Sequence, residues 1–213
     1  MPNRVTTQPR PQVRHQPAHH AHHPAHPARP ANWQRTATGA TAARDGFAAP
    51  RKQINTGNPQ LDRIANARLG NGKDHSCVAT VRANLRKLGF EGLPPSTGRD
   101  NNNPRGMMVQ MLQSDHWQSA NIPGSKPTTI TSPYGKVQAN VLSREDYLKA
   151  AANGQIPQGA VVFQTKHGWD YNGGSRGNDV GIVQGDHVHN YKDMPHLTVY
   201  GAETRDVVIL TPS

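Results

Sequence analysis

The sequence predicts one compact α+β domain behind a disordered, basic arm. Three observations carry that expectation. Large apolar side chains are sparse before residue 58, being Val5, Val13, Trp33, Phe47 and Ile54. Between residues 58 and 153 apolar residues recur at helical spacing, and from residue 160 onward they gather in short β-branched runs. Helices first and a series of strands afterwards is the α+β order. The expected boundaries are an arm over 1–57 and a domain over 58–213.

The arm is rich in Pro, His, Ala, Thr and Arg, and such a stretch buries too little surface to offset the entropy of ordering it. It also carries most of the charge. Residues 1–60 hold eight Arg and Lys against one acid, Asp45, which is seven of the net ten positive charges. The remaining 16 basic and 13 acidic residues are an ordinary balance, so basicity is a property of the arm and a nucleic-acid partner is not expected of the folded part. Six histidines, His15, His19, His20, His22, His23 and His26, are interrupted by prolines that oppose a helix. They read either as a flexible polar leader or as a site for transition metals or protons.

No apolar run approaches the roughly 20 residues needed to cross a bilayer, and the N-terminus lacks the apolar core of a secretory signal. The expectation is a chain without a membrane span that stays cytoplasmic until it is released or exported by a specialised system. With Cys77 as the single cysteine, neither an intramolecular disulfide nor a cysteine-based zinc cluster can form. The DNNN run at Asp100–Asn103 has too few carboxylates for a calcium loop. No cofactor or resident metal is expected.

The elements follow in order. Leu61, Ile64, Ala65 and Leu69 mark a helix over 59–69 stopped by Gly70. Ser76 is a natural N-cap for a helix carrying Cys77, Val78, Val81, Leu85 and Leu88, with Gly89 after its end and Phe90 folding back. Asn103 and Pro104 open a third helix whose Met107, Met108, Met111 and Leu112 read as core. Ser143 and Asp146 resemble a capping box for a helix running through Asn153 to Gly154. Strands are expected at Ala160–Thr165, Asp179–Gln184, His187–Tyr191, Leu197–Tyr200 and Val207–Leu210, with shorter extended pieces at Thr128–Thr131 and Lys136–Leu142 as an insertion.

A thiol in the first turn of a helix feels the partial positive charge of unpaired N–H groups, which favours the thiolate and offers donors to an oxyanion. Cys77 sits in such a turn, although a lone cysteine on an apolar face also serves as a small buried hydrophobe. The loop KHGWDYNGG joins aromatic surface at Trp169 and Tyr171 to polar groups at Asp170 and Asn172, a composition suited to binding a glycan or peptide. Trp169 covering one end of the core is the plainer reading.

A cysteine-bearing helix, then a strand reading GAVVFQ (Gly159–Gln164), a glycine-rich loop and a strand reading DVGIVQ (Asp179–Gln184) resembles the papain-like cell-wall hydrolases of the CHAP and NlpC groups over roughly residues 60–211. The resemblance implies a papain-like α+β fold and a cysteine-dependent amidase or peptidase acting on peptidoglycan stem peptides. Cys77 would be the nucleophile and Trp169, Asp170, Tyr171 and Asn172 substrate-binding residues. Together with the lack of a secretory signal, this suggests a phage-associated enzyme or a bacterial effector, with a secretion chaperone or immunity protein as partner. One departure stands out, because Asp179 occupies the position where the family carries its catalytic histidine. An aspartate accepts a thiol proton less well than imidazole, its ordinary pKa lying about two to three units lower.

Three accounts follow. His167 swings in beside Cys77 with Asp179 orienting it, or His189 acts as base with Asp179 as partner, or the site is inactive or has moved to another chemistry. Rival readings of the whole chain are a non-catalytic binding module on the same fold, an effector that cleaves or deamidates a host protein, and a nucleic-acid-associated protein acting through its arm.

Overall fold

The computed structural model describes residues 53–71, 76–95, 103–170, 177–191, 193–195 and 203–213. Residues 1–52 of the expected arm and the strand at Leu197–Tyr200 lie outside them, whereas residues 53–57 at the arm's expected end are described. The elements are α1 (Pro59–Ala65), α2 (Cys77–Lys87), α3 (Pro104–Leu112), β1 (Trp117–Ser119), β2 (Lys126–Ser132), β3 (Gly135–Ser143), α4 (Arg144–Ala152), β4 (Val161–Thr165), β5 (Asn178–Gln184), β6 (His187–His189), β7 (Asp193–Pro195) and β8 (Asp206–Pro212). The class is α+β, as the order of apolar periods predicts.

The strands form one antiparallel sheet in the order β2-β3-β8-β4-β5-β6-β7, with β1 also paired to β8. The pieces expected as an insertion are a β2–β3 hairpin that joins the sheet through β8. Strand alternation divides the core. Val161, Phe163, Val180, Ile182, Val208 and Leu210 pack with Ile64, Val78, Val81, Leu85, Met107, Met108 and Met111 from α1–α3. Val162, Val183, Val188, Val207 and Ile209 pack with Tyr147 and Ala150 of α4. The sheet is therefore covered by helices on both faces, which explains why β4 is buried along its whole length.

The caps follow the sequence closely. Ser76 Oγ accepts from the Ala79 N–H at 3.3 Å, and Asn103 Oδ1 accepts from that of Arg105 at 3.0 Å. Gly89 has φ +75, and the Phe90 N–H donates back to Leu85 O at 3.0 Å, closing α2 in the left-handed turn its sequence implies. Ser143 caps α4, accepting from the Asp146 N–H at 3.1 Å while its hydroxyl donates to the Asp146 carboxylate at 2.7 Å.

The first helix is shorter than its spacing predicts. Asn66 ends it by donating from its amide to Ile54 O and accepting from the Ile54 N–H, both at 2.8 Å. The carbonyls this leaves open are taken up across the domain, where Gln184 Nε2 on β5 donates to Ile64 O, Ala65 O and Ala67 O. Asn84 of α2 ties down the segment after α1 by donating to Gly70 O and accepting from the Gly70 N–H.

Two glycines test whether space or backbone shape governs these turns. At Gly159, φ is +81 and an added Cβ would lie 2.3 Å from Leu61 O, whereas at Gly154, φ is +66 and nothing lies within 4 Å. Gly154→Ala is expected to cost about 1 kcal/mol, the usual left-handed penalty. Gly159→Ala adds an overlap with backbone that cannot swing away, and is expected to cost roughly 2–4 kcal/mol. Urea unfolding midpoints of the two variants measure the difference, and equal losses would contradict the packing of α1 against this turn.

Candidate active site

Cys77 is the first residue of α2, partly exposed, and its sulfur meets the start of β5. The Asp179 carboxylate acts on the thiol by its charge and by hydrogen bonding, and the backbone N–H groups of Val180 and Val78 act on it in the opposite sense. Asp179 is 2% exposed. Its Oδ1 accepts from the Val180 N–H at 2.9 Å and from Asn190 Nδ2 at 3.2 Å. Asn190 is fully buried and also donates to Val180 O at 3.2 Å, so it fixes both the carboxylate and the strand end that carries it.

The electrostatics run against the expectation drawn from the helix turn. Burial pushes the Cys77 thiol up, and the charge and hydrogen bond of Asp179 push it further; the Val180 and Val78 N–H groups oppose the rise without cancelling it. Desolvation disfavours a thiolate, and a neighbouring carboxylate repels it. Tyr191 shares this environment, since burial first and then the charges of Asp179 and Cys77 push its phenol up. Asn190 and Tyr191 directly follow His189 in HVHNY. Sequence reasoning assigned them no role, because an ordinary polar run at a strand end gives no sign that it turns back onto another strand.

The two candidate imidazoles are placed differently. His189 pairs with Ile182 across β5 and β6, and directly opposed residues share a face, so His189 lies on the side of the sheet that α2 covers. It is 6% exposed. Gly181 allows that approach, because an added Cβ there would sit 2.3 Å from Val188 Cγ1 and 3.1 Å from His189 O.

His167 follows β4. Its N–H donates to Thr165 Oγ1 at 3.3 Å, its carbonyl accepts from Arg205 Nη1 at 3.1 Å, and its ring lies against the Gly177 backbone. Among the described residues, the groups that shift Cys77 are Asp179 and two backbone amides, with neither imidazole among them. His187 is exposed and pairs with Asp186.

The expected substrate loop is divided. Trp169 is 3% exposed and packs in the core on the α2 side, with its carbonyl accepting from Arg105 Nη1 at 3.4 Å. Asp170 is exposed and, with Trp169, lines a cleft of about 390 Å3 that also includes Arg205 and Asp206. Tyr171 and Asn172 lie outside the described residues. No group of three or more His, Cys, Asp or Glu side chains suited to a metal ion occurs among the described residues, and no helix among them is long and apolar enough to cross a membrane. No protein-family model, curated protein or solved structure matches this chain.

Two measurements test the electrostatics. At neutral pH Cys77 is expected to alkylate slowly, and Asp179→Asn to speed the reaction about tenfold, the effect of roughly one unit in thiol pKa. An unchanged rate would show that the carboxylate does not act on the sulfur.

The second is stability in alkali. Cys77 and the buried Tyr147 both have raised values, so each keeps its proton in the folded state after the unfolded chain has lost it. Their contribution is complete below the unfolded values and is lost as pH rises through the folded ones. Stability is expected to fall above about pH 8.5, where an unfolded cysteine titrates, and more steeply above about pH 10, where an unfolded tyrosine does. Each contributes a slope near 1.4 kcal/mol per pH unit. Cys77→Ala should remove the first decline and leave the second.

Proposed function

We propose that the domain is a cysteine-dependent amidase or peptidase, with Cys77 as nucleophile and peptidoglycan stem peptides as substrate, in a phage-associated or effector setting. The observation that carries this reading is the meeting of the α2 first turn with the start of β5, where the sulfur, a buried carboxylate and two backbone N–H groups converge. The CHAP- and NlpC-like order of the GAVVFQ and DVGIVQ strands supports the same assignment, and the papain-like fold belongs to this proposal.

In the proposed chemistry His189 takes the thiol proton, and the sulfur attacks the amide carbon as the carbonyl π bond opens to an oxyanion. N–H groups of the α2 turn hold that oxyanion. As it collapses, the C–N bond breaks and the imidazolium returns the proton to the departing amine. Water, deprotonated by the same imidazole, then releases the acid from the thioester. His189 is preferred to His167 because its register sets it on the α2 side of the sheet, opposite Ile182 and two positions along β5 from Val180. Asp179, held by Asn190, would serve as the acidic partner in this scheme.

One observation favours a second reading. A thiol kept protonated by burial and by Asp179 suits a non-catalytic module that retains the arrangement without the reaction. Release of new amine groups from purified peptidoglycan separates the two. Under the enzyme reading Cys77→Ala loses at least about a thousandfold in rate, and His189→Ala about a hundredfold or more. His167→Ala should stay close to the parent. Activity that survives Cys77→Ala refutes the enzyme reading, and no cleavage by the parent chain, with a thiol inert even in Asp179→Asn, establishes the module.

A further inference from the structure

The cleft beside Trp169 is lined by charges of both signs, including Lys126, Asp146, Asp170, Arg205 and Asp206. Three of these have partners. Asp146 accepts from the Ser143 hydroxyl at the α4 cap, while Arg205 donates to His167 O at 3.1 Å and lies 3.7 Å from Asp206. Lys126 and Asp170 are both exposed, and among the described residues they form no ion pair with each other or with any other group. Two opposite charges lining one cleft and left unneutralised are complementary to a ligand that carries both signs.

Burial and the neighbouring Asp170 also push the Asp206 carboxyl up, against the pull of Arg205. A cation entering the cleft would relieve that repulsion. We propose that the cleft binds a zwitterion, a free amino acid or short peptide whose ammonium group meets Asp170 and whose carboxylate meets Lys126.

The site uses neither Cys77 nor an imidazole, and it stands whether or not the thiol is catalytic. It is nevertheless close to the thiol. Asp206 pairs with Thr165, and Thr165 with Asn178, the residue before Asp179. The cleft and the sulfur's carboxylate partner are thus about two strand spacings apart, on the order of 10 Å, which a peptide of about three extended residues spans.

The test is a calorimetric titration of the full chain with alanyl-alanine, its N-acetyl derivative and its C-terminal amide. The free dipeptide is expected to bind, and each blocked form at least about tenfold more weakly, the loss expected for one charge-assisted contact. Asp170→Asn and Lys126→Met should each lower affinity for the free dipeptide by a similar factor, while thermal midpoint and Cys77 alkylation rate stay unchanged. Equal affinity for all three peptides overturns the proposal, as does the absence of saturable binding or binding that survives both substitutions. Should Asp170→Asn fail to fold, Lys126→Met and the blocked peptides still decide the matter. Loss of peptidoglycan cleavage without loss of dipeptide binding counts against the catalytic reading alone.

Discussion

The junction between the first turn of α2 and the start of β5 is the constraint on which the rest of the site depends. It is held from several directions. Ser76 starts α2 at Cys77, Asn84 fastens the chain before that start to Gly70, and Gln184 at the far end of β5 closes α1. Val78 and Val81 lie in one core with Val180 and Ile182, so helix and strand are joined by apolar packing along their lengths. Gly181 lets β6 approach, which brings His189 to the α2 side and Asn190 onto Asp179. These devices fix the sulfur and the carboxylate against each other before any ligand arrives, and such preorganisation is what a site requires of its supporting structure.

The conflict at this junction is decided by charge and solvent together. A helix start carries about half a positive charge spread over its open N–H groups, whereas Asp179 presents a full negative charge at hydrogen-bonding range. At 4 Å two unit charges interact with about 4 kcal/mol at an effective dielectric near 20. The carboxylate therefore outweighs the helix end, and burial acts in the same direction. Where the proposed hydrolase chemistry calls for imidazole, this chain places a carboxylate that Asn190 and Val180 supply with donors. Thiolate formation here would need that carboxylate's field removed or compensated, and His189 on the adjacent strand is the imidazole that register brings to the α2 side of the sheet.

Much of this was legible in the sequence, and the boundary of legibility has physical causes. Ser76, Asn103 and Ser143 announced three helix starts because capping is a local interaction between neighbours in the chain. The methionines of α3 read correctly as core because the helical period is local as well. The early end of α1 escaped notice, since it depends on Asn66 pairing with Ile54, twelve residues back. β1 and β7 have three residues each, too few to display a period of two. The pairing of β3 with β8 joins segments more than 60 residues apart, and nothing in either strand specifies that partner. The order of the elements suggested that Cys77 and Asp179 would meet, while the direction of the thiol's shift was not visible, because desolvation belongs to the folded environment.

The divided fate of the HGWD segment shows why composition locates a site better than it assigns roles within one. Trp169 and Asp170 are adjacent, yet one is buried in the core and the other faces solvent. An aromatic expected to offer a stacking face is instead packed in the core, while its neighbour lines the cleft as an exposed carboxylate. Gly168, with φ +89, permits this turn, and an added Cβ would come within 2.7 Å of the Asp170 carboxylate and 2.8 Å of Arg205. The glycine thereby sets both the cleft's charge pattern and its floor space. A side chain at that position would displace the carboxylate and the guanidinium together, so the local backbone shape and the electrostatics of the cleft form a single constraint.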